Sequence, residues 1–253
     1  MSESLTRRKL IRTGIAAAAG ASGLGVAAHF ADRYGLIPPD HYGIYGVGET
    51  LTYAAQRVLT SGHSLAREFD RSRITPVAPV NGPPPTDDAY RRHVADGFAD
   101  WRLDIGGLVA RPSSLSLGDL KRLPARTQVT LQACEEGWSF IAEWTGALFS
   151  SVLESVGARP EAKYVVFYTF DDWWDSIDMA DALHAQTVLA YGMNGRDLPP
   201  PHGAPARLKV ARQLGYKNLK YLTRIVVTDT VGNIGKGLGG GGAEVGYSWY
   251  AGI

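Results

Sequence analysis

Apolar residues recur along this chain at two spacings, two and three-to-four, and the alternation between the spacings predicts its elements. Trp101, Leu103 and Ile105 alternate with Arg102 and Asp104, which predicts a strand. Val129 and Leu131 alternate with Thr130 and Gln132 in "RTQVTLQAC", a strand that delivers Cys134 at its end. "YVVFYTF" has the continuous apolar character of a buried strand, and "TVLAYGMNGRDLPP" predicts a strand running into an Asn194-Gly195 hairpin turn. "ARLKVA" and "LTRIVVTD" supply two more.

Helical spacing appears at Leu51, Ala54, Ala55, Val58 and Leu59, and again at Leu148, Phe149, Val152, Leu153 and Val156, where Gly157 is placed as a C-cap. "SLSLGDLKRLP" predicts a short helix capped by Ser116 with Leu117 and Leu120 inward, and "DMADALHA" another. Pro76, Pro79 and Pro83 to Pro85 exclude regular helix or central strand from "ITPVAPVNGPPPTDD". Strands and helices interleaved with hairpins predict an α+β (mixed α/β) fold, with residues 231–253 as a glycine-rich C-terminal tail.

The first 28 residues differ from the rest. Arg7, Arg8, Lys9 and Arg12 precede an uncharged segment from Gly14 to Ala28, the order of an export signal. That segment is shorter than the roughly 20 apolar residues of an ordinary membrane-spanning helix. The paired arginines resemble a twin-arginine signal, which carries folded proteins to the periplasm, with Val26-Ala27-Ala28 as a possible cleavage point. The expected layout is signal 1–28, leader and helix 29–75, a globular domain 76–230 and the tail. Composition narrows the partners: a formal net charge of +1 gives no bulk reason to expect nucleic acid. With 45% hydrophobic residues the chain can bury a sizeable core.

Cys134 is the only cysteine in 253 residues, so it closes no disulfide within the chain. In an oxidising compartment it must be buried or occupied. Three roles stand open for it: core packing, nucleophile, and metal ligand. Glu136, two residues on, is placed to exchange a proton at a metal held by Cys134, and Trp138 either walls a site or packs. Lys217, Lys220, Arg207 and Arg212 lie in one short span and would attract a phosphate, or else form a solvated strand face.

Three landmarks in order, "LQACEEGWS", "MNGRDLPPPHGAPARL" and "GYKNLKYLTRI", resemble the molybdopterin-binding domain of the sulfite oxidase family, and in particular its bacterial exported branch. The resemblance implies a sulfite-oxidase-type fold with mixed sheets and irregular loops. It implies one molybdopterin per molybdenum and a thiolate of Cys134 on the metal. Cofactor contacts follow at Asn81, Thr169, His202, Arg207, Asn218, Leu219 and Lys220. A related methionine-sulfoxide reductase has asparagine where this chain has His202.

A soft thiolate suits such a metal, and coordination deprotonates it. The segment after "YVVFYTF" reaches the pocket in that family. Here it reads "DDWWDSID": either Asp171, Asp172 and Asp175 repel an anion while Trp173 and Trp174 favour a neutral group, which makes Asp172, Trp173 and Trp174 candidate substrate contacts, or the aspartates cap the following helix and the tryptophans pack. The reading is a periplasmic oxidoreductase that transfers an oxygen atom with two electrons, preferring a sulfoxide or similar oxide, small or protein-bound. Sulfite oxidation is the alternative, and a cofactor-free binding protein or a thiol enzyme are the rivals from other classes. No haem-binding segment or C-terminal dimerisation domain is evident. A monomer exchanging electrons with a separate membrane or soluble cytochrome is therefore expected.

Overall fold

The computed structural model describes residues 35–59 and 64–253, and the export-signal expectation for residues 1–28 lies outside them. The described residues form ten strands and six helices, with three single 3-10 turns. Helix α1 is Gly46–Leu59 and α2 is Asp88–Ala95. The strands are β1 Arg102–Gly107, β2 Ser113–Ser116, β3 Ala125–Ala133, β4 Ser139–Leu148 and β5 Tyr164–Thr169, followed by β6 Trp174–Asp178, β7 Thr187–Met193, β8 Arg196–Asp197, β9 Arg207–Val210 and β10 Leu222–Thr228. Helices α3 (Leu117–Arg122), α4 (Phe149–Val156), α5 (Met179–Ala182) and α6 (Gly241–Glu244) complete the chain. Among the described residues no helix is long and apolar enough to cross a membrane.

Two sheets result. One runs β2-β1-β10-β5-β6, with β1 and β10 parallel and the other pairs antiparallel. The other runs β3-β4-β7-β8 with β9 also on β7, all antiparallel. The main core lies where the first sheet (Trp101, Leu103, Ile105, Val165, Phe167, Ile225, Val227) meets the second (Leu189, Leu208, Val210) and α4 (Phe149, Val152, Leu153, Val156). Val188 and Ala190 face the other way on β7, into a second cluster with Phe140, Ala142 and Trp144. The active site is built above that second cluster. Close strand contact constrains the backbone: at Gly146 a Cβ would come within 2.3 Å of the Leu189 carbonyl oxygen.

Local signals act as their chemistry predicts. Ser116 caps α3, its Oγ accepting from Asp119 N–H while the Asp119 carboxylate accepts from Ser116 N–H. Gly157 ends α4 at φ 66°, and Asn194-Gly195 turn β7 into β8 with both φ positive.

Three expectations are corrected. On β3 the polar residues Gln128, Thr130 and Gln132 are buried along with Cys134, while Leu131 is half-buried, so the face turned inward is largely polar. On α1 the apolar stripe faces outward, Leu51 being 65% and Val58 69% exposed. The helix is instead held by Tyr53, whose hydroxyl donates to Asp178, and by Arg57, paired with Asp178 and Asp181. Last, the glycine-rich residues 231–253 are not a loose tail. They carry α6 and fully buried Trp249, and Gly239 and Gly240 lie so close to Trp249 and Asp175 that no Cβ would fit.

Candidate active site

Cys134 occupies the tight connection between β3 and β4. Its N–H donates to the Trp138 carbonyl (2.8 Å), and its own carbonyl accepts from Gly137, which supplies the positive φ of 91° that the turn needs. The residue is 7% exposed, and its Sγ has Glu135 Oε2 at 3.4 Å, Asn81 Nδ2 at 3.7 Å and Glu136 Oε2 at 3.9 Å. Burial pushes the thiol pKa up and the Glu135 charge adds to it, so without a cation the group stays a thiol. That environment is the opposite of an activated nucleophile, which needs a lowered pKa or an adjacent base.

The sulfur opens into a cavity of about 470 Å³, large enough for a cofactor, reached from three walls. The first is the Asn81 loop with Pro79 and Pro83; the second is the turn containing Thr169, Asp171 and Trp173; the third is formed by His202, Arg207 and residues 215–220. Of the residues expected in the site, Asn81, Cys134, Trp138, Thr169, Trp173, His202, Arg207, Asn218, Leu219 and Lys220 line this cavity. Glu136, Asp172 and Trp174 do not. The Glu136 carboxylate takes the Trp138 Nε1–H at 2.9 Å, Asp172 is an exposed turn residue at φ 56°, and Trp174 begins β6 with its ring against Gly235. Asp171 stands in the cavity wall as expected, Glu135 joins it, and Asp175 is buried in an ion pair with Lys217 away from the cavity.

The basic residues divide sharply. Lys217 and Arg212 are removed from the phosphate-binding expectation: Lys217 Nζ is buried in an ion pair with Asp175, and Arg212 Nη2 donates to Asp181 Oδ1 at 2.6 Å. Among the described residues no carboxylate pairs with Arg207. Its Nη1 and Nη2 donate to the carbonyls of His202 (3.0 Å) and Asn218 (2.7 Å), its plane lies 5.0 Å from the Trp144 ring, and its Nε is buried with no acceptor. Burial pushes its pKa down to about 10. Lys220 donates to the Asn81 carbonyl (2.6 Å), tying the first wall to the third, and burial followed by the Arg207 charge pushes its pKa down to about 8. His202 is pushed to about 4 by burial and then by those same two cations.

Two expected contacts have their side chains committed elsewhere. Asn218 Oδ1 accepts from Val210 N–H (2.7 Å) and its Nδ2 donates to the carbonyls of Gln213 and Leu214, so it braces the turn. Thr169 Oγ1 accepts from Trp173 N–H at 3.1 Å and donates to Asp171.

A profile of the oxidoreductase molybdopterin binding domain matches residues 91–233. The chain belongs to that family. A candidate protein-methionine-sulfoxide reductase subunit, YedZ1, of Azospira oryzae is 39% identical over 192 residues, covering 73% of this chain and 70% of that protein. The protein-methionine-sulfoxide reductase catalytic subunit MsrP of Xanthomonas axonopodis pv. citri is 33% identical over 144 residues; the match takes in 51% of this chain but only 45% of MsrP. Among solved structures, the sulfane dehydrogenase SoxCD of Paracoccus pantotrophus superposes with a TM-score of 0.50 at 28% identity, over 52% of this chain and 39% of that one.

As a molybdopterin oxidoreductase the chain has a cavity whose donor set fits the group. Among the described residues no cluster of three His, Cys, Asp or Glu could hold a metal, and Cys134 is the soft donor that the cavity offers to one. Arg207 and Lys220 are desolvated cations with no ion-paired carboxylate among the described residues, an arrangement that an anionic ligand stabilises. Tyr216, Tyr247, Phe140 and Gln132 complete the wall, none of them singled out from the sequence. Only Gln132 carried a readable signal, since it stands two residues before Cys134 on the same strand face.

Proposed function

We propose that this chain reduces a sulfoxide or a similar oxide, drawing two electrons through a separate electron-transfer protein. The balance is R2S=O + 2 H⁺ + 2 e⁻ → R2S + H2O. Bound molybdenum supplies the oxygen-atom acceptor and the two-electron redox change. Cys134 holds the metal as a thiolate, Arg207 and Lys220 hold the anionic cofactor, and Asn81 positions the Cys134 sulfur. Glu135 is the proton-carrying group, because its carboxylate rather than that of Glu136 stands in the cavity wall beside Sγ.

One observation carries the reading: the cavity that holds Cys134 also presents the carboxylates of Glu135 and Asp171 and the rings of Trp138, Trp173 and Tyr247. Those carboxylates disfavour an anion such as sulfite, whereas the rings accommodate a neutral sulfoxide with apolar substituents. The names of the reductase relatives agree with this direction. The basic and apolar order of residues 7–28 supports periplasmic placement by the twin-arginine route.

The test is turnover by protein purified from a host able to make molybdopterin. Reduced viologen should be oxidised on adding dimethyl sulfoxide or a methionine-sulfoxide peptide, and cytochrome should not be reduced by sulfite. Robust sulfite-to-cytochrome activity would reverse the direction, and protein without molybdenum would remove the enzyme reading.

A further inference from the structure

Lys209 is the most unusual charge in the molecule. It is fully buried on β9, every residue of which is buried, and among the described residues no carboxylate pairs with it. Its Nζ donates to the Leu131 carbonyl (3.0 Å) and to Gln132 Oε1 (2.9 Å), 5.7 Å from the same Trp144 ring that carries Arg207. Nζ donates in both contacts, so the Gln132 atom it faces is the oxygen. The Nε2 is thereby turned the other way.

Among the described residues no acceptor receives a hydrogen bond from Gln132 Nε2, although the residue is 5% exposed and lines the cavity. The nitrogen faces the start of the turn at Gly215, where a Cβ would stand 3.3 Å from Nε2, 3.1 Å from the Ala133 carbonyl oxygen and 3.4 Å from the Cys134 Cα. A side chain at position 215 would crowd the Gln132 amide and the Cys134 backbone, and glycine avoids that. A buried residue whose amide oxygen is held by a buried lysine and whose amide nitrogen opens on the cavity beside Cys134 is placed to meet an acceptor there.

We propose that Gln132 is a cofactor-binding residue of this chain, donating from Nε2 to an acceptor atom of bound molybdopterin, and that Lys209 is the positioning residue that aims it. The desolvation that depresses the Lys209 pKa, with the Arg207 charge adding to it, fits a cation whose compensation is an anionic occupant rather than a carboxylate. The inference rests on the cofactor assignment and is independent of the direction of turnover.

The experiment measures molybdenum and pterin per chain after gel filtration for the full chain, for Gln132→Met, Lys209→Met and the double variant, and for Gln132→Glu. Melting of each cofactor-free protein is recorded alongside. Gln132→Met should lower retained cofactor about tenfold and Lys209→Met severalfold, and Lys209→Met should cost nothing further when Gln132 is already Met. Gln132→Glu gains an ion pair with Lys209 but has no donor. It should melt at or above the parent temperature and yet load no better than Gln132→Met. Full loading of Gln132→Met or Gln132→Glu overturns the proposal, as does an equal Lys209→Met loss in both backgrounds, which marks Lys209 as structural. An unloaded parent protein would instead overturn the cofactor assignment itself.

Discussion

Burial, and after it the charges of Arg207 and Lys220, push the His202 pKa down to about 4. The unfolded chain takes up this proton near pH 6.5. The folded, cofactor-free chain does so only near pH 4. Its contribution to stability is therefore complete above pH 6.5 and is lost as pH falls toward 4. In His202→Asn the cofactor-free protein should lose less stability between pH 6.5 and 4.5, by on the order of 2 kcal/mol, as read from urea midpoints. Parallel curves for the two proteins would contradict this.

Single residues were legible where their chemistry is scarce: one cysteine and one "HGAPAR" segment led to Cys134, His202 and Arg207. They were not legible where chemistry is common. Glu135 and Glu136 are indistinguishable in a string, and the turn at Gly137 decides which carboxylate enters the cavity. Lys217 and Arg212 read as phosphate ligands because their partners, Asp175 and Asp181, are some 42 and 31 positions away in the chain.

At the scale of elements, the turn Gly215–Lys217 is fastened to β6 by the Lys217–Asp175 pair, both side chains 1% exposed. Asp175 also accepts from the backbone N–H of Ser176 (2.7 Å) and Gly242 (3.1 Å), so one carboxylate joins three segments. Asp175→Ala should destabilise the protein by about 3–5 kcal/mol, because it strands a buried ammonium. Replacing both Asp175 and Lys217 with apolar residues should recover part of that loss. Thermal melts of the single and double variants check it, and a single-variant loss under 1 kcal/mol would show that water reaches Lys217. The same turn carries Tyr216 into the cavity wall, so the Asp175→Ala protein should also retain less cofactor.

Period and capping revealed β1, β5, β7, β10, α3 and α4 because these bury an apolar face against another element. They located β3 and α1 as well but not the faces these bury, which are largely polar. Gln128, Thr130 and Gln132 on β3, and Tyr53 and Arg57 on α1, are placed by hydrogen bonds and ion pairs that no hydrophobic period encodes.

Over the whole molecule, the two ends of the described chain meet on the first sheet. Trp249 packs edge-on against Tyr53 of α1 and Tyr164 of β5, donates from Nε1 to Ser176 Oγ (2.9 Å), and gives its backbone N–H to Asp40 (2.7 Å). A run that reads as a featureless glycine tail is thus a strap, its small residues required by the closeness of Asp175 and Trp249. Because α1 turns its apolar side outward, its attachment depends on this strap and on Arg57 more than on a hydrophobic seam. Trp249→Ala should therefore cost about 3–5 kcal/mol, and the loss should be distributed unevenly. Amide exchange in α1 should rise to rates typical of a short unsupported helix, while the β1-β10-β5 ladder stays protected. Tyr247, two residues before Trp249 and stacked on Tyr216 at 5.0 Å, should shift with the strap and open the cavity rim. KM for a sulfoxide should rise more than kcat falls, since the strap touches the substrate side of the cavity and leaves Cys134 on its own hairpin. Uniform acceleration of exchange across both sheets would instead mean that the strap and the body unfold as one unit.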